Sequence, residues 1–147
     1  MDRFETFSLA LFSISRCWNK IAGEEMKRFG LKGAHAFYLV TILSHDGVLT
    51  AANLCELCGR DKADVSRMLS ILEAKKLVTK DGIGSNRYRG CLRLTPEGQA
   101  VAKELSHRAE RAVELAGAGL TEEHRAIFYE SLDTITKNLR RICQEGL

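Results

Sequence analysis

Apolar residues recur at helical spacing at both ends of this chain. Phe4, Phe7, Leu11, Ile14, Trp18 and Ile21 follow one another at intervals of three and four, as do Phe128, Leu132, Ile135, Leu139 and Ile142. Each series draws a narrow apolar seam along one side of a long helix. The second begins after Thr121-Glu122-Glu123, a helix-start signal. Such seams must be covered, either by the chain's own core or by a partner. Two of them at the chain ends, outside a compact centre, favour an interlocked dimer. The 147 residues suffice for one domain with an oligomerisation extension. A single proline and a 45% hydrophobic content exclude a chain disordered throughout. No long apolar segment follows the start Met1-Asp2-Arg3-Phe4-Glu5, so the expected compartment is the cytoplasm, with no membrane partner.

The charge is unevenly placed. Residues 1–58 carry six positive and six negative side chains, residues 59–93 nine and four, and residues 94–147 seven and nine. A basic excess confined to the middle points to a local surface that faces a polyanion. The five cysteines, Cys17, Cys55, Cys58, Cys91 and Cys143, are odd in number and scattered, which fits a reducing compartment. Cys55 and Cys58 have the gap of a redox or zinc pair, but no second pair follows at zinc spacing. They read as two small half-buried residues in a short helix. The histidines His35, His45, His107 and His124 form no i, i+4 pair, so neither a metal nor another cofactor is expected.

The centre resolves into short elements. Ala34 to Ser44 reads as a helix with Phe37, Val40 and Leu43 inward, closed by His45-Asp46-Gly47. Thr50 caps a short helix carrying Ala51, Leu54 and Leu57 on one face and stopping at Gly59. Asp61 caps the next, whose buried stripe is Val65, Leu69 and Leu72 and which reaches about Lys76. The period then changes from helix to strand. Leu77 to Lys80 is a strand candidate, 81–86 is turn-rich, and Arg87 to Thr95 alternates as a returning strand, with Tyr88, Leu92 and Leu94 on one face and Arg87, Arg89 and Arg93 on the other. Thr95-Pro96-Glu97 starts a long helix that fades at Gly117-Ala118-Gly119. The expected fold class is mainly α with a small β-hairpin.

Two short helices joined by Gly59-Arg60-Asp61 form a helix-turn-helix, whose second helix fits a DNA major groove. Opposite its apolar stripe lie Lys62, Ala63, Ser66, Arg67 and Ser70. Arg67 suits a bidentate guanine contact, Ser66 and Ser70 can bond bases or phosphates, and Ala63 permits close approach. Asp64 is a departure beside phosphates; it orients Lys62 or Arg67, or only assists the helix start. Arg87 and Arg89 on the glycine-bearing hairpin suit a minor groove. Lys75, Lys76 and Lys80 face either phosphates or solvent.

The helix order, the segment from Leu54 to Arg67 and the strand into Leu94-Thr95-Pro96-Glu97-Gly98 together resemble the MarR family of bacterial transcription regulators. The resemblance implies a winged helix-turn-helix over 34–95, flanked by an N-terminal dimerisation helix over 1–33 and C-terminal helices over 96–147 that complete the dimerisation region. It implies a homodimeric repressor on pseudo-palindromic double-stranded DNA, released by a small-molecule effector or an oxidant, and not an enzyme. Many members carry Asp-x-Arg at the wing. The matching segment here is Asn86-Arg87-Tyr88-Arg89, which lacks the acid and leaves the groove role to Arg87 or Arg89. Some relatives sense peroxide through a first-helix cysteine, which makes Cys17 a candidate redox sensor, with Lys20 able to share its face. Others bind ligands in a cleft, for which Trp18, Phe37 and Tyr38 are candidate lining or simply core. The competing function classes are a winged-helix module that binds protein and a thiol enzyme centred on Cys17 or on Cys55 and Cys58.

Overall fold

The computed structural model describes residues 2–45, 48–81 and 90–147. Its elements run α1 (Arg3–Lys27), α2 (Gly33–Ser44), α3 (Ala51–Cys58), α4 (Lys62–Ala74), β1 (Val78–Asp81), β2 (Cys91–Leu94), α5 (Pro96–Ala116) and α6 (Glu122–Glu145). The strands are antiparallel, with Val78 opposite Leu94 and Asp81 opposite Cys91. A third backbone segment joins them, because Thr50 bridges Cys91 and the Leu92 N–H donates to the Leu49 carbonyl at 2.7 Å. The expected returning strand is seen as Cys91–Leu94; Arg87, Tyr88 and Arg89 lie outside the described residues.

The chain packs as two units, residues 1–108 and 109–147. The first contains the core, in which Met26, Leu39, Leu54, Leu69, Leu72, Leu92 and Ala102 have no solvent exposure. Its α1 contributes only Met26 among buried residues, while the seam from Phe4 to Ile21 lies open at 40–73% exposure. Ion pairs fasten the end of α1 to α5: Arg28 to Glu104 at 3.0 Å and Arg108 to Glu25 at 3.1 Å. At Gly33 the α1 and α2 backbones touch, since a Cβ there would lie 3.0 Å from the Gly23 nitrogen.

The inward face of α2 differs from expectation. His35, Tyr38, Leu39 and Ile42 are buried, Phe37 is turned outward, and Val40 and Leu43 sit at the core's edge. Helix α2 is apolar almost all round, so its spacing alone selects no face; packing against the rest of the unit does. Leu57 on α3 likewise lies 40% exposed, and Cys55 and Cys58 take its place against the core.

The second unit holds the end of α5 and α6. The Thr121 hydroxyl accepts the His124 N–H at 3.2 Å, and Arg125 donates to the Gly117 carbonyl at 3.0 Å, fixing the turn. No residue of α6 is buried, and its five seam residues are 37–46% exposed. Among the described residues no helix is long and apolar enough to cross a membrane.

The hairpin is clasped to α5 at Thr95. Its hydroxyl donates to the Lys76 carbonyl at 2.7 Å and accepts the Gly98 N–H at 3.0 Å, while its own N–H donates to the Leu77 carbonyl at 3.1 Å. This clasp accounts for the Thr-Pro-Glu-Gly sequence. Thr95 caps, Pro96 occupies a first-turn position where no donor is missed, and Gly98 passes so close to Leu77 that an added Cβ would stand 2.8 Å from its carbonyl carbon and closer still to the oxygen. Gly98→Ala is therefore expected to destabilise the chain by about 1–3 kcal/mol in urea titration, the usual cost of overpacking; an unchanged midpoint would show that the strand end moves freely.

His35 gives a second test. Its Nδ1 accepts the Lys32 N–H at 3.0 Å, and its Nε2 is buried with no hydrogen-bond partner. Burial holds its pKa below the usual 6.5, against the backbone bond to Lys32, and the charges of Lys32 and Lys75 push the same way as burial. The unfolded ring takes up a proton below about pH 6.5 that the folded one refuses, so His35 makes stability fall as pH drops from there towards its lowered folded pKa. Denaturation of wild type and His35→Gln between pH 7.5 and roughly 5 should show a steeper loss in wild type. Parallel curves would contradict this.

Candidate nucleic-acid interface

The helix-turn-helix is set by two adjacent signals. Thr50 caps α3, taking the Asn53 N–H at 3.2 Å while Asn53 Oδ1 accepts the Thr50 N–H at 3.1 Å. Gly59 ends it with φ 58°, a left-handed conformation that costs an L side chain, and the Arg60 N–H returns to the Cys55 carbonyl at 3.2 Å. Asp61 then restarts the helix, its Oδ1 accepting the Asp64 N–H at 2.8 Å. The turn is therefore as short as two caps permit.

Helix α4 has two opposed faces. Val65, Leu69 and Leu72 are buried, as their spacing predicts, and Lys62, Ala63, Ser66, Arg67 and Ser70 are exposed. Ala63, Ser66, Arg67 and Ser70 stand at i, i+3, i+4 and i+7, a single strip. The Ser70 hydroxyl donates to the Ser66 carbonyl at 2.9 Å, which leaves its oxygen free to accept. Asp64 lies beside this strip. Its Oδ2 accepts from Arg60 at 3.0 Å and its Oδ1 faces Arg67 Nη2 at 3.5 Å, so it orients Arg67, one of its expected partners, together with Arg60. Arg60 was not among the candidate site residues. Its i, i+4 relation to Asp64 was the available signal, hidden because it spans a helix cap.

Beneath this surface lies Tyr38. It is 2% exposed, and its hydroxyl has no hydrogen-bond partner. Burial pushes the phenol up to about 12, with Cys58 and Asp64 acting in the same direction and Arg60 against them. Burial, aided by Cys55, also raises the Cys58 thiol to about 11, so it is a poor nucleophile near neutrality. Cys17 and Trp18 are exposed on α1. Phe37 and Tyr38, adjacent on α2, point apart, one to solvent and one to the core, and do not line one cavity wall. Among the described residues no three His, Cys, Asp or Glu side chains gather as a metal site.

Of the other cations, Lys80 is mostly covered and pairs with Glu73 at 3.5 Å, whereas Lys76 is exposed where α4 meets β1. Arg87 and Arg89, the candidate minor-groove residues, lie outside the described residues.

A family model described as the MarR family matches residues 29–83, the span from the end of α1 into the hairpin. Over this segment the chain is similar to the MarR family. Solved MarR-family structures share the arrangement over nearly the whole chain. One described as a MarR-family transcriptional regulator from Listeria monocytogenes, complexed with 26mer DNA, has 22% identity and a TM-score of 0.83, covering 99% of this chain and 96% of that one. The S. aureus MepR–DNA complex gives 21% and 0.81, covering 94% and 99%. A MarR transcriptional regulator from Methanosarcina mazei Go1 gives 18% and 0.81, again covering 94% and 99%. At these identities the likeness is one of fold. No curated protein sequence matches the chain.

Lys76 is strained at the end of α4. It has φ 58°, the one positive value on a non-glycine residue among those described, where its N–H reaches Glu73 and that of Leu77 reaches Leu72. This is the end of α4 at which glycine is the usual occupant. Lys76→Gly should stabilise the fold by about 1 kcal/mol, by relief of left-handed strain. Lower stability in thermal melts would show that the lysine side chain contributes packing that outweighs its backbone.

Proposed function

We propose that the chain is a sequence-specific DNA-binding transcriptional regulator, a cytoplasmic homodimer that represses from pseudo-palindromic operators and is released by a small ligand or an oxidant. The observation that carries this reading is α4: a buried stripe of Val65, Leu69 and Leu72 with Lys62, Ala63, Ser66, Arg67 and Ser70 exposed on the other side. A major groove about 12 Å wide admits one helix, and such a face brings a guanidinium, two hydroxyls and a small residue to the base edges. The DNA complexes among the structural relatives support the same use of the fold.

Pairing is supported by the two open seams, each a run of exposed apolar side chains that a partner would cover. In this reading residues 1–33 and 96–147 build the dimer, and 34–95 bind DNA. Lys76 adds a phosphate contact, Arg87 or Arg89 enters the minor groove, and a two-fold dimer sets its reading helices about 34 Å apart. Cys17, exposed on α1, is the candidate thiol for an oxidant, and Trp18 with Phe37 offers apolar surface to a ligand.

The decisive experiment selects bound fragments from the source genome with purified protein. A short inverted repeat is expected, with affinity falling steeply as salt rises because each neutralised phosphate releases counterion. A module that binds protein instead would recover no common sequence. Against the recovered repeat, Arg67→Ala should lose about 1–3 kcal/mol of discrimination, the worth of a bidentate base contact. Equal losses on operator and scrambled duplex would remove Arg67 from base reading.

A further inference from the structure

A carboxylate on a helix that enters DNA meets phosphate repulsion, yet Asp64 is built firmly into α4. Its N–H is held by Asp61 at 2.8 Å, and its side chain is 24% exposed against 56% for Arg60 and 73% for Arg67. The carboxylate thus lies underneath and the two guanidinium groups outside. Each carboxylate oxygen serves a different arginine, Oδ2 at 3.0 Å for Arg60 and Oδ1 at 3.5 Å for Arg67. One of these arginines stands before the N-cap and the other one turn into the helix, so a single anion links the turn to the reading strip.

A long flexible side chain loses conformational freedom when it binds, and an arginine already held in place loses less. The trio also carries one net positive charge where two free arginines would carry two. A sequence-independent contact gains from charge, whereas a base contact gains from position. We infer that Asp64 is a positioning residue that sets the selectivity of the reading helix, holding Arg67 for a base edge and Arg60 for the neighbouring backbone while lowering attraction to arbitrary DNA. The inference rests on the DNA-binding reading and deepens it. A carboxylate serving only the helix start would need neither arginine.

The test compares wild type and Asp64→Asn on the repeat recovered by genomic selection and on a scrambled duplex of the same length, across a salt series. Scrambled-duplex affinity should rise several-fold with a salt slope steeper by about 0.9, one further phosphate neutralised. The preference for the repeat should fall about fivefold, the lower end of a lost base contact. Equal weakening on both duplexes would reduce Asp64 to a helix-start residue, and equal strengthening would reduce it to a bulk charge. Asp64→Ser, which keeps a first-turn acceptor without charge, repeats the comparison if the asparagine variant folds poorly. Nitrogen-15 spectra of the arginine side chains report on the protein alone: Arg60 and Arg67 should be restrained in wild type and averaged in Asp64→Asn. Identical spectra would overturn the inference. A wild type with restrained arginines but no preferred fragment would overturn the DNA-binding reading and leave the brace standing.

Discussion

The molecule's surface chemistry depends on one packing constraint, the seating of Val65, Leu69 and Leu72 against the core. With 3.6 residues per turn, fixing three residues at near-zero exposure fixes the direction of every other side chain on α4. Ala63, Ser66, Arg67 and Ser70 face solvent because the stripe is buried, and they face it together. The caps at Gly59 and Asp61 set where this helix begins, and the close contact of Gly98 with Leu77 sets where its far end meets the hairpin.

Around that helix the electrostatics are local. Asp64 takes two arginines, Glu73 takes Lys80, and the pairs between Glu25, Arg28, Glu104 and Arg108 belong to the fastening of α1 to α5. Apart from the mostly covered pair of Lys80 with Glu73, these pairs have at least one exposed partner, where each stabilises little. Their effect is to place charge. Among the described cations of residues 59–93, Arg60, Arg67 and Lys80 are paired with carboxylates, while Lys76 is exposed at the surface.

Much of this was legible in the sequence because it is local. Thr50, Gly59, Asp61, Thr95 and Thr121 act within a few residues, and each cap or stop stands where its residue type indicates. The stripes of α1, α4 and α6 were readable because polar residues alternate with apolar ones at a clear period. Helix α2 was not, since its near-continuous apolar run favours no direction, and Phe37, expected inward, faces solvent while Tyr38 beside it is buried. Leu57 failed similarly, displaced by two smaller cysteines whose packing no periodicity reveals. The pairing of Asp64 with Arg60 crosses a cap, where helical spacing rules do not ordinarily apply.

The sequence by itself determined the kinds of element, their caps and the solvent-facing strip of α4, because backbone capping and helical period are short-range physics. Tertiary structure alone decided which side of α2 is inside, that Leu49 and Thr50 join the hairpin, that Gly98 must lack a side chain, and that His35 and Tyr38 lie buried with an unpaired polar atom each. Those features depend on the approach of segments far apart in the chain, and the free energy of such contacts resides in the packed arrangement, not in any local pattern.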